Sequence, residues 1–442
     1  MSKMKNSGLN WIGNIPDEWN VSTMKYDCTK ITDYTASGSF ASLAENVEYL
    51  DSPDYAMLVR VADLSNRRDI PPIYINEHSY NFLRNSNLKG GELILSNIGS
   101  VGDVFFYEPL YKKSSLAPNA ILAISKYLTK YLYYYFLCPT VSNELKEIGG
   151  NAVQSKFNKT QLRAFKCLQP KRQEQKLIVD FLDEKIDIID KIIGDLNNQI
   201  EILNKYKKQI ITETVTSGLN KNVKFKDSGI DWMGEIPEHW EIKRLKYLGS
   251  ARNGLTYEPE DQCDEGMLVL RSSNIQDGKL CLDDNVYVNM KVPKNIILKR
   301  NDLLICSRNG SRNLIGKNIL IEDSIEGNTY GAFMCVFRSE YNKYIHYVLN
   351  SNIFDHYLNT FLTSTINQLT NSNLYSIKIA IPMDIEEQQE IVKYLDDRCQ
   401  KIDEILNSKI KQKEQMEQYK KSVIYEYVTG KKRVGGAEEL YG

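Results

Sequence analysis

GLNWIGNIPDEW at residues 8–19 and GIDWMGEIPEHW at residues 229–240 share one pattern, Gly-x-x-Trp-x-Gly-x-Ile-Pro-x-x-Trp. The chain has four tryptophans, and these two stretches hold all of them, so coincidence is a poor account of the match. The second copy follows the first by 221 residues (232 less 11), about half of the 442-residue chain. Internal duplication is therefore the first question to settle. In each copy the tryptophans flank an Ile-Pro turn, with Gly13 or Gly234 permitting a tight bend. Such a motif reads as a structural anchor at the start of a domain, written twice because the domain is.

The duplication continues outward from the motif. Lys25-Tyr26 and Lys246-Tyr247 follow it, then MLVRVADL (57–64) and MLVLRSSNI (267–275), apolar runs of strand length that end near Arg60 and Arg271. KGGELILSNIGS (89–100) and KRNDLLICSRNGS (299–311) each run from a short strand into a Gly/Ser/Asn turn, with Gly99 set against Gly310. NAVQSKFNKTQL (151–162) parallels TSTINQLTNSNL (363–374). The clearest match is QEQKLIVDFLDEKIDIIDKI (173–192) with EEQQEIVKYLDDRCQKIDEI (386–405), at an offset of 213 (386 less 173). Residues 27–56 and 249–266 barely align, so the halves diverge between matching frames.

These last segments are helical by count of positions. Ile178, Leu182, Ile186, Ile189, Ile193, Leu196, Ile200 and Leu203 recur every three or four residues among Lys, Asp, Glu and Gln, a narrow coiled-coil seam. Pro170 precedes it and Gly218 supplies a C-cap. Some 45 residues at about 1.5 Å each give a rod of roughly 70 Å. The second seam, after Pro382, has Ile391, Leu395, Cys399, Ile402, Leu406 and Ile410. Each seam needs a partner, either the other helix or its own domain. The expected fold class is α+β: two mixed α/β domains joined by two long antiparallel coiled-coil helices, with an internal two-fold repeat. Its boundaries fall at 1–168 (first domain), 169–219 (long helix), 220–381 (second domain), 382–432 (second long helix) and 433–442 (flexible tail).

Composition bounds the function. Hydrophobic content of 42% and charged content of 26% suit a soluble globular protein, and no apolar run reaches the roughly 18 residues of a membrane helix. The start of the chain lacks the apolar segment of a secretory signal. Eight cysteines stand singly, without a Cys-x-x-Cys pair, beside four histidines. That argues against zinc and disulfides and for a reducing cytoplasm. Net charge of −1 weighs mildly against a free-standing nucleic-acid binder.

Catalytic motifs are absent. GSRNLIGKN (310–318) has the wrong spacing for a phosphate-binding loop, and Asn318 stands where a hydroxyl is needed. No Asn/Asp-Pro-Pro-Tyr/Phe tetrapeptide of an adenine methyltransferase occurs. Glu238, Glu241 and Lys243 superficially suggest a nuclease, but the first copy has Asn20-Val21-Ser22 at the corresponding place. His346 and His356 have no ligand set around them.

Two globular segments that open with the tryptophan motif, alternating with two near-identical helices that begin Gln-Glu-Gln or Glu-Gln-Gln just after a proline, resemble the specificity (S) subunit of Type I restriction–modification systems, over about the first 430 residues. The resemblance implies that each globular segment is a target recognition domain reading one half of a split sequence in double-stranded DNA. It implies further that the helices set the unread spacer and dock two methyltransferase (M) subunits, and that restriction (R) subunits join them. S-adenosylmethionine, ATP and Mg would then serve the partner subunits, with no cofactor in this chain. Rival readings are a single-chain DNA-modifying nuclease and a coiled-coil scaffold that binds only proteins.

DNA contacts should come from polar loops carried on strands. The candidates are Arg60, with Arg271, Ser273 and Asn274 in the second copy; Ser96, Asn97 and Ser100, with Arg308, Asn309, Ser311 and Arg312; and Gln154, Lys156 and Asn158, with Asn367 and Gln368. Each could equally be a solvated surface turn.

Overall fold

The structure, a computed structural model, describes residues 3–65, 70–150, 156–276, 278–362, 367–437 and 440. The chain forms two compact units, residues 1–196 with 412–442 and residues 197–411. This division cuts both long helices, so the units do not follow the linear segments expected from sequence.

In the first unit an antiparallel sheet runs in the order Cys28–Asp33, Ala120–Ser125, Leu93–Ser96, Val104–Phe106. A second sheet contains Ala56–Val59 parallel to Ser114–Leu116. Helices Thr129–Leu137, Pro139–Ile148 and Lys159–Ala164 follow, and Lys166–Gln169 returns to pair with Asn20–Thr23. The second unit repeats the plan. Its antiparallel sheet runs Ser250–Asn253, Met334–Arg338, Leu303–Cys306, Asn318–Leu320. Met267–Leu270 lies parallel to Thr329–Tyr330, and Lys378–Ile381 closes on Glu241–Arg244. The central strands Leu93–Ser96 and Leu303–Cys306 are buried throughout, which explains why they read as continuous apolar runs rather than alternating ones.

The helices Arg172–Ser217 and Ile385–Val428 are 46 and 44 residues long, near 70 Å at about 1.5 Å per residue. Inside the first unit they run antiparallel, since Phe181 packs on Tyr427 (ring centroids 4.3 Å apart) while Asp190 pairs with Lys420 at 2.7 Å. Inside the second, Lys207 meets Asp403 at 2.6 Å. The seams also enter the domain cores. Ile178, Leu182 and Ile186 share one core with Val423, Ile424, Val428 and domain residues such as Tyr135. Ile391, Leu395 and Cys399 share another with Ile211, Val215 and Trp240. Packing on the other helix and on the domain are therefore not alternatives, because each seam does both. Ile189, Leu196, Ile402 and Leu406 are buried, whereas Ile193, Ile200 and Leu203 are half-buried. Ile410, expected in the seam, is 42% exposed; it lies in the polar stretch where the seam pattern is weakest.

The tryptophan motif fixes where domain and helix join. Trp19 and Trp240 are fully buried. Trp19 Nε1 donates to Glu174 Oε2 and Trp240 Nε1 to Glu387 Oε1, both at 2.9 Å. These carboxylates sit in the first turn of each long helix, where its dipole favours negative charge. The neighbouring glutamines, Gln175 and Gln388, donate to the carbonyls of Pro170 and Pro382 at 3.0 and 2.7 Å. The helix-capping glycines, Gly218 and Gly430, hold φ of +68° and +72° against Trp240 and Trp19; a side chain at either would strain the backbone and press on the indole. The segment expected to be a flexible tail is anchored where described. Arg433 Nε meets Glu174 Oε1 at 2.6 Å, and Ala437 is fully buried.

Candidate nucleic-acid interface

Strand Leu93–Ser96 and its twin Leu303–Cys306 both end in a turn that the rest of the domain grips through matching backbone bonds. Asn97 N–H donates to Asn119 O at 3.2 Å, and Ser307 N–H to Phe333 O at 3.0 Å. Phe157 N–H donates to Asn97 O at 3.2 Å, and Leu369 N–H to Ser307 O at 2.8 Å. Bridges join Ile98 to Lys156 and Arg308 to Gln368. Two loops chosen from sequence thus meet in each domain. The bonds also fix the register between copies: Ile98 corresponds to Arg308, Asn119 to Phe333 and Lys156 to Gln368. Gly99 then stands opposite Asn309 rather than Gly310, one position away from the match read from sequence, because the turns differ in length. Gly99 has φ of +83°, whereas Gly310 lies outside the left-handed region.

In the second unit this junction opens on a cleft of about 1110 Å³. Arg271, Ser273, Arg308, Asn309, Asn367 and Gln368 all line it. Asn309 Nδ2 donates to Ser272 Oγ at 2.8 Å and its Oδ1 accepts Ser311 N–H at 2.9 Å, which braces the loop. Arg308 is exposed, with its guanidinium 5.2 Å from the centroid of Phe333. Among the described residues no carboxylate pairs with it. Arg271, by contrast, meets Asp284 Oδ2 at 2.8 Å. Arg312 is exposed beyond the cleft, 3.5 Å from Asn359 Oδ1.

Several candidates are occupied by structural duties instead. Asn274 is fully buried; its Oδ1 accepts Arg271 N–H at 2.9 Å and its amide donates to Cys281 O at 2.9 Å. The same cap in the first copy is Asp63, which accepts Arg60 N–H at 2.7 Å and holds the Arg60 guanidinium through two further bonds of 3.0 and 2.7 Å. Ser96 is fully buried. Asn97 spends its amide on Phe157 O at 3.0 Å. Asn158 caps Lys159–Ala164 by accepting Gln161 N–H at 2.9 Å, though its exposure leaves room for another partner. Ser100 and Lys156 are exposed beside these groups. Gln154 lies outside the described residues. Polar residues at strand ends and helix starts serve as caps as readily as ligand contacts, which is why residue type alone selected both kinds.

Sequence reasoning passed over Phe333, which is 59% exposed at the cleft. The signal was present: GAFM at 331–334 puts a large aromatic in a glycine-bearing turn, where burial cannot be presumed. Among the groups set aside, Lys317 donates to Ser272 O and, at 2.6 Å, to Ile275 O, and Lys243 pairs with Glu241 at 2.6 Å. His346 is packed in the second unit with Nδ1 2.8 Å from Asn318 Oδ1, and burial lowers its pKa to about 4. His356 stacks on Trp232 with centroids 4.5 Å apart. No helix among the described residues is long and apolar enough to cross a membrane.

A fold built twice, with matched polar loops on divergent domains and a long helix following each in the chain, defines a class of duplicated recognition modules. The family model described as the Type I restriction modification DNA specificity domain matches residues 17–202 and 237–415. The chain belongs to that family and carries two DNA specificity domains. It is 30% identical over 358 residues to the type I restriction enzyme MjaVIII specificity subunit of Methanocaldococcus jannaschii, covering 77% of this chain and 79% of that one. A second protein of that organism, provisionally named the type I restriction enzyme MjaX specificity subunit, is 29% identical across 96% of each chain. A solved chain described under complex assembly and conformational transition of the type I R-M system shares the fold with a TM-score of 0.67, at 13% identity, over 94% of this chain and 99% of that one.

Proposed function

We propose that this chain is the non-catalytic reading subunit of a cytoplasmic Type I restriction–modification complex, and that each domain recognises one half of a bipartite target in double-stranded DNA. The observation that carries this reading is the shared grip on one turn in both domains, which presents Ile98 and Lys156 in one and Arg308 and Gln368 in the other. A common frame with different exposed side chains is what two readers of unlike half-sites require. The long helices fix the spacer and dock two methyltransferase subunits, and restriction subunits complete the assembly. S-adenosylmethionine, ATP and Mg act in those partners.

Phosphate neutralisation supplies a large share of protein–DNA affinity, and a chain of net charge −1 offers little of it. The free chain should therefore shift a target duplex feebly in a gel, and the chain bound to methyltransferase should shift it tightly at the same salt. Native mass spectrometry of that complex should give two methyltransferases per chain. Equal DNA affinity of the free and bound chain, or capture of no methyltransferase, would count against the proposal.

A further inference from the structure

Arg271 and Arg308 are the arginines that line the cleft, and among the described residues only Arg271 has a carboxylate partner. Arg271 is held by Asp284 Oδ2 at 2.8 Å and also donates to Asp284 O at 3.0 Å. Arg308 instead lies over Phe333, on an exposed turn whose backbone is fixed by bonds to Phe333 O (3.1 Å) and a bridge to Gln368. Leaving a phenylalanine 59% exposed is unfavourable by itself. Its ring gives a flat face on which a guanidinium is attracted without losing its donors, because cation–π contact uses the face of the fork and not its edge. The outward edge keeps the paired N–H groups that match O6 and N7 of guanine in the major groove. In the first domain the two equivalent positions are Ile98 and Asn119, which can form neither the fork nor the shelf.

We propose that Arg308, positioned by Phe333, reads a guanine in the half-site of the second domain, and that the first domain reads no base by this device. Arg308 is the specificity-determining residue; Phe333 is a positioning residue that acts through it. This rests on the bipartite reading above.

The test is the set of adenines methylated genome-wide when the chain, or a variant, is produced with its methyltransferase. With Arg308→Ala the motif should relax at one G·C pair in one half, with discrimination falling on the order of tenfold, while the other half is unchanged. Arg308→Lys keeps the charge and loses the fork, so it should relax the same position with less loss of total methylation. Phe333→Leu should relax it partially. Uniformly weaker methylation at an unaltered motif would make Arg308 a phosphate contact and overturn the inference, as would full discrimination retained by Arg308→Ala or Arg308→Lys. If the parent chain itself yields no bipartite motif, it is the functional reading that fails; if the parent does and the variants match it, only the assignment of Arg308 fails.

Discussion

Trp19 and Trp240 owe their place to a buried indole N–H and the carboxylate that accepts it. Hydrogen bonds to charged groups contribute roughly 1.5–3 kcal/mol, so Trp19→Phe, which leaves Glu174 short of a donor, should destabilise the first unit by about 2 kcal/mol in denaturant unfolding. A change below about 0.5 kcal/mol would mean that the indole–carboxylate bond contributes little. His346 gives a second, pH-dependent signature. Burial holds its folded pKa at about 4, below the ordinary 6.5. Between those values the unfolded chain binds a proton that the folded chain refuses. Its contribution to stability is thus complete above the ordinary value and is lost as pH falls toward 4. The second unit should lose stability between pH 7 and pH 5, and His346→Gln should flatten that slope. An equally steep loss in the variant would remove His346 as the cause.

At the scale of elements, the two long helices were the most legible part of the sequence, because apolar positions recur at helical spacing for about seven turns in the first (Ile178 to Leu203) and more than five in the second (Ile391 to Ile410). What periodicity cannot say is against what each position packs. Leu182 and Leu395 are fully buried in domain cores, whereas Ile410, in the same pattern, is exposed. Leu182→Ala or Leu395→Ala should cost about 2–5 kcal/mol through the cavity left behind, and Ile410→Ala should stay within about 0.5 kcal/mol. Comparable losses at all three, measured by urea unfolding, would refute this division of the seam. Strands were legible as apolar runs, and their turn loops as polar clusters. The partition of those clusters was not, because Asn274 as a cap and Asn309 as a loop brace differ only in what the fold brings near them. Nor did the sequence expose the anchoring of Arg433, whose partners Glu18 and Glu174 are more than 250 residues away in the chain.

For the whole molecule, duplication is both the structural rule and the functional argument. The frame that must be kept is written alike in both halves: the indole–carboxylate bond, the capping glycines and the grip on the loop after the central strand. Side chains on that loop differ, and that is where two readers would part company. The near-neutral charge of the chain fits a subunit that leaves much of the DNA backbone to its partners. The decisive measurement of split-site reading is a map of every methylated adenine in cells that make this chain with its methyltransferase. Two short invariant tracts separated by a constant number of unselected positions are the predicted result; a single uninterrupted motif would contradict it.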